Sequence, residues 1–297
     1  MVTTDIYKGF ILERHRIWER RIAGEPGPWS EDPILIGRKF CNAFRVLDHG
    51  SQYVLKHLLD GPPIDVLLRC FLYRFTNRSG PWEHFYSLYE RVPTLEDLTT
   101  DLLLSTWDRY ESPIFNNAYR INVDRTWDGK KLDWLIFRAK EIFLEGKYFS
   151  VDEYLVSDPP EQHELLTRVP RVGDFMAMQI LTDWNYSRYG YDAENEFIVP
   201  GPGAVRGSEI LDPDADPTEM IYRIAEVWEA EPDAPRIPLP GGGSRGLSLM
   251  DIQNTFCEFD KYIREQVRGK TFTPYTPTHK TTAPALPEHW KGTDDYV

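Results

Sequence analysis

The chain has no run of about 18 apolar residues able to cross a bilayer and no charged-then-apolar leader at its start, so neither export nor membrane insertion is expected. It has only three cysteines, Cys41, Cys70 and Cys257, in 297 residues. Their odd number and wide spacing exclude a disulfide framework and suit reduced thiols in an intracellular compartment, the cytoplasm or nucleus of the host cell. The phosphate-cradling G-x-x-x-x-G-K-[ST] pattern is absent, because Gly241-Gly242-Gly243-Ser244-Arg245-Gly246 lacks both the spacing and the lysine. A P-loop kinase is therefore excluded for this chain by itself. The seven histidines, among them His49, His57, His84 and His163, lack close pairing with cysteine or carboxylate. No metal site is expected, and no cofactor is indicated. Basic residues are also in deficit, 34 against 47 acidic ones, for a formal charge of −13. Loose adhesion to nucleic acid through bulk charge is disfavoured, which leaves room only for a local basic surface.

What is present is apolar and aromatic. Hydrophobic residues make up 41% of the chain and aromatics 13%, with nine tryptophans, enough for a full core. Strand signals are few and there is no internal repeat, so the expected class is all-α. The domain expectation is one helical domain over residues 1–270, with a Pro/Gly-rich excursion near 229–246 and an extended tail at 271–297.

Helical periodicity places the first helix from Asp5 to about Ala23, with Arg14 and Arg21 on its apolar face. A buried guanidinium stays charged and must find a carboxylate, a carbonyl or a phosphate. Asp32 and Pro33 have the chemistry of a helix cap and first turn. The helix expected after them carries Arg38, Asn42, Arg45 and His49 in one polar stripe. Ile64 to Phe75 is apolar nearly all round, as a central helix should be. It delivers Arg74, Asn77, Arg78 and Trp82 to one place, a group suited to holding a phosphate and stacking a base. Equally, the arginines could neutralise the helix end and Trp82 could be core. Asp108 to Tyr119 reads as a turn into a further helix, and Lys131 to Phe143 as an ordinary amphipathic one.

Leu165 to Ser187 reads as a helix-hairpin-helix. Pro170 and Gly173 stop one helix, and Phe175, Met176, Met178, Ile180, Leu181 and Trp184 recur at near-helical spacing in the next. The free amides at such a helix start attract phosphate, which makes Arg171 and Gly173 candidates for DNA contact. Asp183, on the second helix, is a candidate general base. Gly201-Pro202-Gly203-Ala204-Val205-Arg206-Gly207 reads as a bent loop exposing backbone amides, with Gly203 and Arg206 as candidate phosphate contacts. Leu247 to Val267 returns to helix and carries Lys261, a further candidate. Cys257 on that helix is expected to be buried rather than nucleophilic.

An ordered set of segments carries a resemblance. Trp29-Ser30-Glu31-Asp32-Pro33-Ile34-Leu35, Phe40-Cys41-Asn42-Ala43-Phe44-Arg45 with Asp48, Arg74-Phe75-Thr76-Asn77-Arg78 with Trp82, Val172-Gly173-Asp174-Phe175-Met176-Ala177, Gly201-Pro202-Gly203-Ala204 with Gly207, and Cys257-Glu258-Phe259-Asp260-Lys261-Tyr262 occur in that order. From about Ile11 to Tyr262 the chain resembles the helical domain named after 5-hydroxymethyluracil DNA kinase, also described as alpha-glutamyl/putrescinyl-thymine pyrophosphorylase. The resemblance implies an all-α bundle related to helix-hairpin-helix DNA glycosylases, acting on DNA that contains modified thymine. The implied reaction is a transfer: an amino acid or polyamine displaces phosphate from phosphorylated or pyrophosphorylated 5-hydroxymethyluracil. Arg45, Arg74 and Arg78 are then the expected cations for the leaving phosphate, Asn42 and Asn77 its orienters, Asp183 the proton acceptor, and Trp82 the plane for an extruded base. The glycosylase-type hairpin usually reads Pro-Gly-Val-Gly, whereas this chain has Pro170-Arg171-Val172-Gly173. Where a glycosylase would have its catalytic aspartate, this chain has Ala193 between Asp192 and Glu194. Two other expectations stay open, glycosylase-like cleavage of a modified base and a non-catalytic DNA-binding module.

Overall fold

The structure, a computed structural model, describes residues 4–116, 123–124, 126–268 and 282–290. From the amino terminus run α1 (Thr4–Ile22), α2 (Pro33–Gly37), α3 (His49–His57), α4 (Pro63–Thr76), α5 (Gly80–Tyr89), α6 (Leu95–Thr99) and α7 (Leu102–Asp108). Then come α8 (Lys131–Phe143), α9 (Val151–Val156), α10 (Pro159–Thr167), α11 (Asp174–Asn185), α12 (Pro202–Leu211), α13 (Pro217–Glu229) and α14 (Leu249–Arg268). The sheet among the described residues is two antiparallel strands of two residues each, β1 (Ile237–Pro238) and β2 (Ser244–Arg245), with Ile237 opposite Arg245. The protein is all-α. Its expected Pro/Gly-rich excursion contains this small hairpin.

The helices sort into two compact units. One is built from the described parts of residues 1–48, 194–286 and 290–297, the other from 49–193 and 287–289. In the first unit Tyr7, Phe10, Ile11, Ile17 and Trp18 of α1 are buried, as the helical period requires. Phe10 packs edge-on to Phe40 and tilted against Phe259 and Tyr262, with centroids 5.0 to 5.8 Å apart. Each such pair adds roughly 0.5–1.5 kcal/mol beyond the area it buries. Buried Arg14 is satisfied by the main-chain carbonyls of Phe40 and Cys41 at 2.9 to 3.1 Å.

The helix expected to run past Arg38 is cut short. Asp32 does cap it, accepting from the Ile34 and Leu35 amides, but α2 ends at Gly37 and Arg38 is extended. From there the chain folds back on itself, because the Asp48 carboxylate accepts the Asn42 amide at 2.7 Å and the Asn42 side chain donates to the Leu47 carbonyl at 2.8 Å. Side chains that bond the backbone offer it an alternative to helix. Arg38, Asn42, Arg45 and His49 therefore do not share one helix face.

In the second unit α4 is the central helix, buried along nearly its whole length. It starts on Pro63 and ends where Asn77 takes the left-handed conformation, φ 43° and ψ 39°, which asparagine tolerates better than most residues. Lys131–Phe143 and the helix pair α10 and α11 form where expected. The helix expected near Tyr119 and most of the expected tail lie outside the described residues.

Candidate functional site

The carboxyl end of α4 carries a fixed set of polar groups in the second unit. Arg74 faces α11 and is almost fully buried. Its Nε and Nη2 donate to the two oxygens of Asp183, a side-on bidentate pair in which Asp183 has no exposed surface. Such a pair is strong in geometry and costly to break, because either partner alone would be a charge without water. The third guanidinium nitrogen, Nη1, lies on the side of Gly50 in the first turn of α3. A Cβ built on Gly50 would stand 3.8 Å from that nitrogen, 3.5 Å from Asn77 Oδ1 and 3.7 Å from the Tyr73 hydroxyl. Three polar atoms of α4 and its cap thus converge on the one residue of α3 without a side chain.

Asn77 is fixed by its backbone as well as its conformation. Its amide donates to the Tyr73 carbonyl at 2.6 Å, and its own carbonyl accepts the Asn116 side chain at 3.2 Å. The Asn116 amide in turn donates to the Thr76 carbonyl at 2.9 Å. Arg78, one residue on, is exposed and carries its charge at the surface.

Two expected roles change. Asp183 is expected to take a proton from an amine, but both of its oxygens hold Arg74 and no solvent reaches it. In this arrangement it positions the guanidinium instead. Trp82 is expected to stack an extruded base, but it is wholly buried, donates its indole N–H to Thr76 Oγ1 at 3.1 Å, and packs edge-on to Trp107 and Tyr73. It is a core residue holding the start of α5 beneath the cap of α4.

The turn between α10 and α11 spans Arg168 to Gly173, and Gly173 is the exposed residue preceding α11. Arg171 has φ 69°. It stands where the glycosylase-type pattern has glycine, in the conformation that glycine enters without steric cost. Its Nε donates to Asp124 at 3.0 Å. Asp124 also accepts Trp134 Nε1 at 3.1 Å and an Arg138 N–H, and these donors, Trp134 foremost, pull its pKa down to about 2. The turn is thereby tied to α8.

The remaining expected residues belong to the first unit. Asn42 and Arg45 lie together in the turn before Asp48, with the Arg45 amide donating to Asp251 at 2.6 Å. Burial, the largest influence, pushes the Asp48 carboxyl up to about 6 against the opposing Asn42 amide and arginine charges. Gly203 and Arg206 are not in a loop, because Pro202 opens α12 at that point. Gly203 and Gly207 are one turn apart and face α14. A Cβ on Gly203 would stand 2.3 Å from Cys257 Sγ, and one on Gly207 would stand 2.1 Å from the Phe256 carbonyl oxygen. Their lack of side chains lets two helices touch backbone to backbone, a packing role in place of the expected phosphate contact at Gly203. Arg206 donates to Asp260 at 3.0 Å, while Lys261 reaches the Lys39 carbonyl and lies 4.3 Å over the Phe40 ring. Cys257 is a packed thiol whose pKa burial raises to about 11, so it is protonated at neutral pH. Among the described residues no group of three or more His, Cys, Asp or Glu side chains could hold a metal ion, and no helix is long and apolar enough to cross a membrane.

Gly50, Tyr73 and Asn116 have no place among the sequence candidates. One signal was available for their neighbourhood: an arginine inside an otherwise apolar helix requires a buried partner and so marks a fixed polar site.

A family model described as 5-hmdU DNA kinase, helical domain, matches residues 1–271. The chain is 26% identical over 289 residues to the 5-hmdU DNA kinase of Bacillus phage SP10, an alignment that covers 87% of this chain and 44% of that protein. It thus spans less than half the length of this relative. No solved structure matches it.

Proposed function

The chain belongs to the family of the 5-hmdU DNA kinase helical domain, and from that premise we propose that it works on 5-hydroxymethyluracil in DNA as the transferase of the modification. An amine nitrogen, from an amino acid or a polyamine, attacks the C5 methylene carbon of the phosphorylated or pyrophosphorylated base. The carbon–oxygen bond breaks and phosphate or pyrophosphate leaves. The oxygen freed when the carbon–oxygen bond breaks is strongly basic, and the departing group takes on it the proton released by the amine.

The observation that carries this reading is the fixed guanidinium at the end of α4. Asp183 holds Nε and Nη2 of Arg74, and Nη1 lies on the side of Gly50, near which Asn77 Oδ1 and the Tyr73 hydroxyl also stand. A cation held rigid before the reaction stabilises developing negative charge without having to reorganise, which is the main demand of a displacement with a phosphate leaving group. Asn77 orients, Arg78 adds an exposed positive charge, and Asp183 acts as the positioning residue for Arg74. Asn42 and Arg45 belong to the first unit and are proposed as phosphate contacts of that unit by itself.

The test is to incubate the protein with duplex DNA containing phosphomethyluracil, with and without amino acids or polyamines, and to resolve the digested nucleosides by mass spectrometry. A thymine adduct that needs the amine is expected. Gly50→Ala is the informative variant. Its methyl group lands at ordinary contact distance, so the fold should hold its melting temperature while the adduct yield falls at least tenfold. Loss of the base would replace the proposal with glycosylase chemistry. Unchanged nucleosides alongside DNA binding would replace it with a recruiting module.

A further inference from the structure

The first unit carries a repeated charge arrangement on α14 that the reaction chemistry does not use. Asp260 and Glu265 have side chains only 5% and 10% exposed. Each holds two arginines whose guanidinium groups stand at the surface. Asp260 accepts Arg206 Nε on one oxygen and Arg264 Nε on the other, both at 3.0 Å. Glu265 accepts Arg38 Nε at 3.1 Å and Arg268 Nη1 at 2.7 Å, again on separate oxygens. Lys261, one turn before Glu265, extends the same side of the helix over Glu258, whose carboxylate is also largely covered. The acids lie beneath and the cations above. Counting these residues, five positive charges stand over three negative ones. The chain as a whole carries a net charge of −13.

The arrangement is held rigid. Arg206 comes from α12, which the side-chain-free Gly203 and Gly207 press against α14. Arg206 and Arg264 meet Asp260 through Nε, and the end-on edge of a guanidinium, formed by Nη1 and Nη2, can take a phosphate in fork geometry. Arg264 and Arg268 are four residues apart, about 6 Å along the helix at 1.5 Å per residue. A DNA strand carries one phosphate per roughly 3.4 Å of axis, so both can meet one strand at once.

We propose that this stripe, Arg38, Arg206, Lys261, Arg264 and Arg268, is a contact surface for the phosphate backbone of duplex DNA, sequence-independent and separate from the base-modifying groups of α4. The inference rests on the reading of DNA as the substrate, and it adds where the duplex is gripped. Asp260 and Glu265 act as spacers that fix the cations without covering them.

The test is binding of a fluorescein-labelled 20-base-pair duplex by the full chain, followed by anisotropy across a salt series. For every phosphate that the protein ceases to neutralise, the slope of log affinity against log salt falls by about 0.9. Arg264→Gln and Arg268→Gln should each lower it by about one, and the double variant by about two. Each removed arginine leaves its carboxylate a second partner, so melting temperatures should stay near that of the parent. Arg223→Gln, exposed on α13 with its own acidic partner Asp212, should change nothing. A folded double variant with the parent slope would overturn the stripe while leaving the DNA reading intact. A parent protein that fails to bind duplex at all would overturn both.

Discussion

Replacing Gly207 by alanine should destabilise the first unit by about 2 kcal/mol, although glycine-to-alanine changes inside helices usually stabilise. Three backbone atoms decide the sign. The new Cβ would lie 2.1, 2.6 and 2.9 Å from the carbonyl oxygen, carbonyl carbon and Cα of Phe256. None of these can rotate aside as a side chain would, so α12 must move off α14. Overpacking of this kind costs roughly 1–3 kcal/mol, and contact with backbone places it at the upper end. The gain in helix propensity returns up to about 1 kcal/mol. At roughly 2–4 °C per kcal/mol, the net effect lowers the melting temperature by about 4–8 °C, readable by circular dichroism. Gly9→Ala is the matched control. It lies on the exposed side of α1 with nothing within 4 Å of the added methyl, so it should raise stability by up to about 1 kcal/mol. If Gly207→Ala melts at or above the parent temperature, as Gly9→Ala should, the close helix contact is not what requires glycine there. A phosphate-binding loop would show a different result, unchanged melting with loss of DNA affinity.

Asp183→Asn should destabilise the second unit by about 3–5 kcal/mol in chemical denaturation, since it strands a buried guanidinium; Arg74→Met with Asp183→Leu should recover much of that loss without recovering activity. Equal stability of the single variant and the parent would mean that water reaches the pair. The Asp48 carboxyl, raised in the folded state to about 6 from an ordinary value near 4, is disfavoured as an anion by burial. A raised carboxylate takes up protons on folding, so its contribution to stability is greatest below pH 4 and falls as pH rises from about 4 to 6. Asp48→Asn keeps an oxygen for the Asn42 amide, so it should match the parent near pH 4 and exceed it by up to about 3 kcal/mol at pH 7 and above, since each tenfold change in proton affinity is worth about 1.36 kcal/mol. A constant difference across that range would show that the group does not titrate there.

Periodicity made the long helices legible. The Tyr7, Phe10, Ile11, Ile17 and Trp18 face, the all-round burial of α4 and the span of α8 each follow from apolar residues recurring at helical spacing. What escaped was decided by partners far along the chain or by side chains acting on backbone. Arg74 and Asp183 are separated by 109 positions, and no local pattern names one as the other's counter-ion. The helix expected through Asn42 and Arg45 has acceptable spacing, yet Asn42 and Asp48 bond backbone groups that a helix would need. Trp82 beside Arg78 looks like an exposed plane until Thr76 and Trp107 are seen to enclose it. The Gly201 to Gly207 segment held a usable clue in the four-residue step from Gly203 to Gly207, which favours a helix face over a phosphate loop.

The turn between α10 and α11 gives up glycine, the residue that enters its backbone conformation freely, and seats Arg171 there instead. That exchange changes what the turn can be. A glycine turn owes nothing to its surroundings and keeps its shape when neighbouring helices shift. Here the side chain that burdens the backbone also anchors it, through Asp124 to Trp134 and Arg138 of α8. The turn takes its anchor from a helix remote in sequence, so a substitution that removes Trp134 or Arg138 from Asp124 also loosens the hold on Arg171.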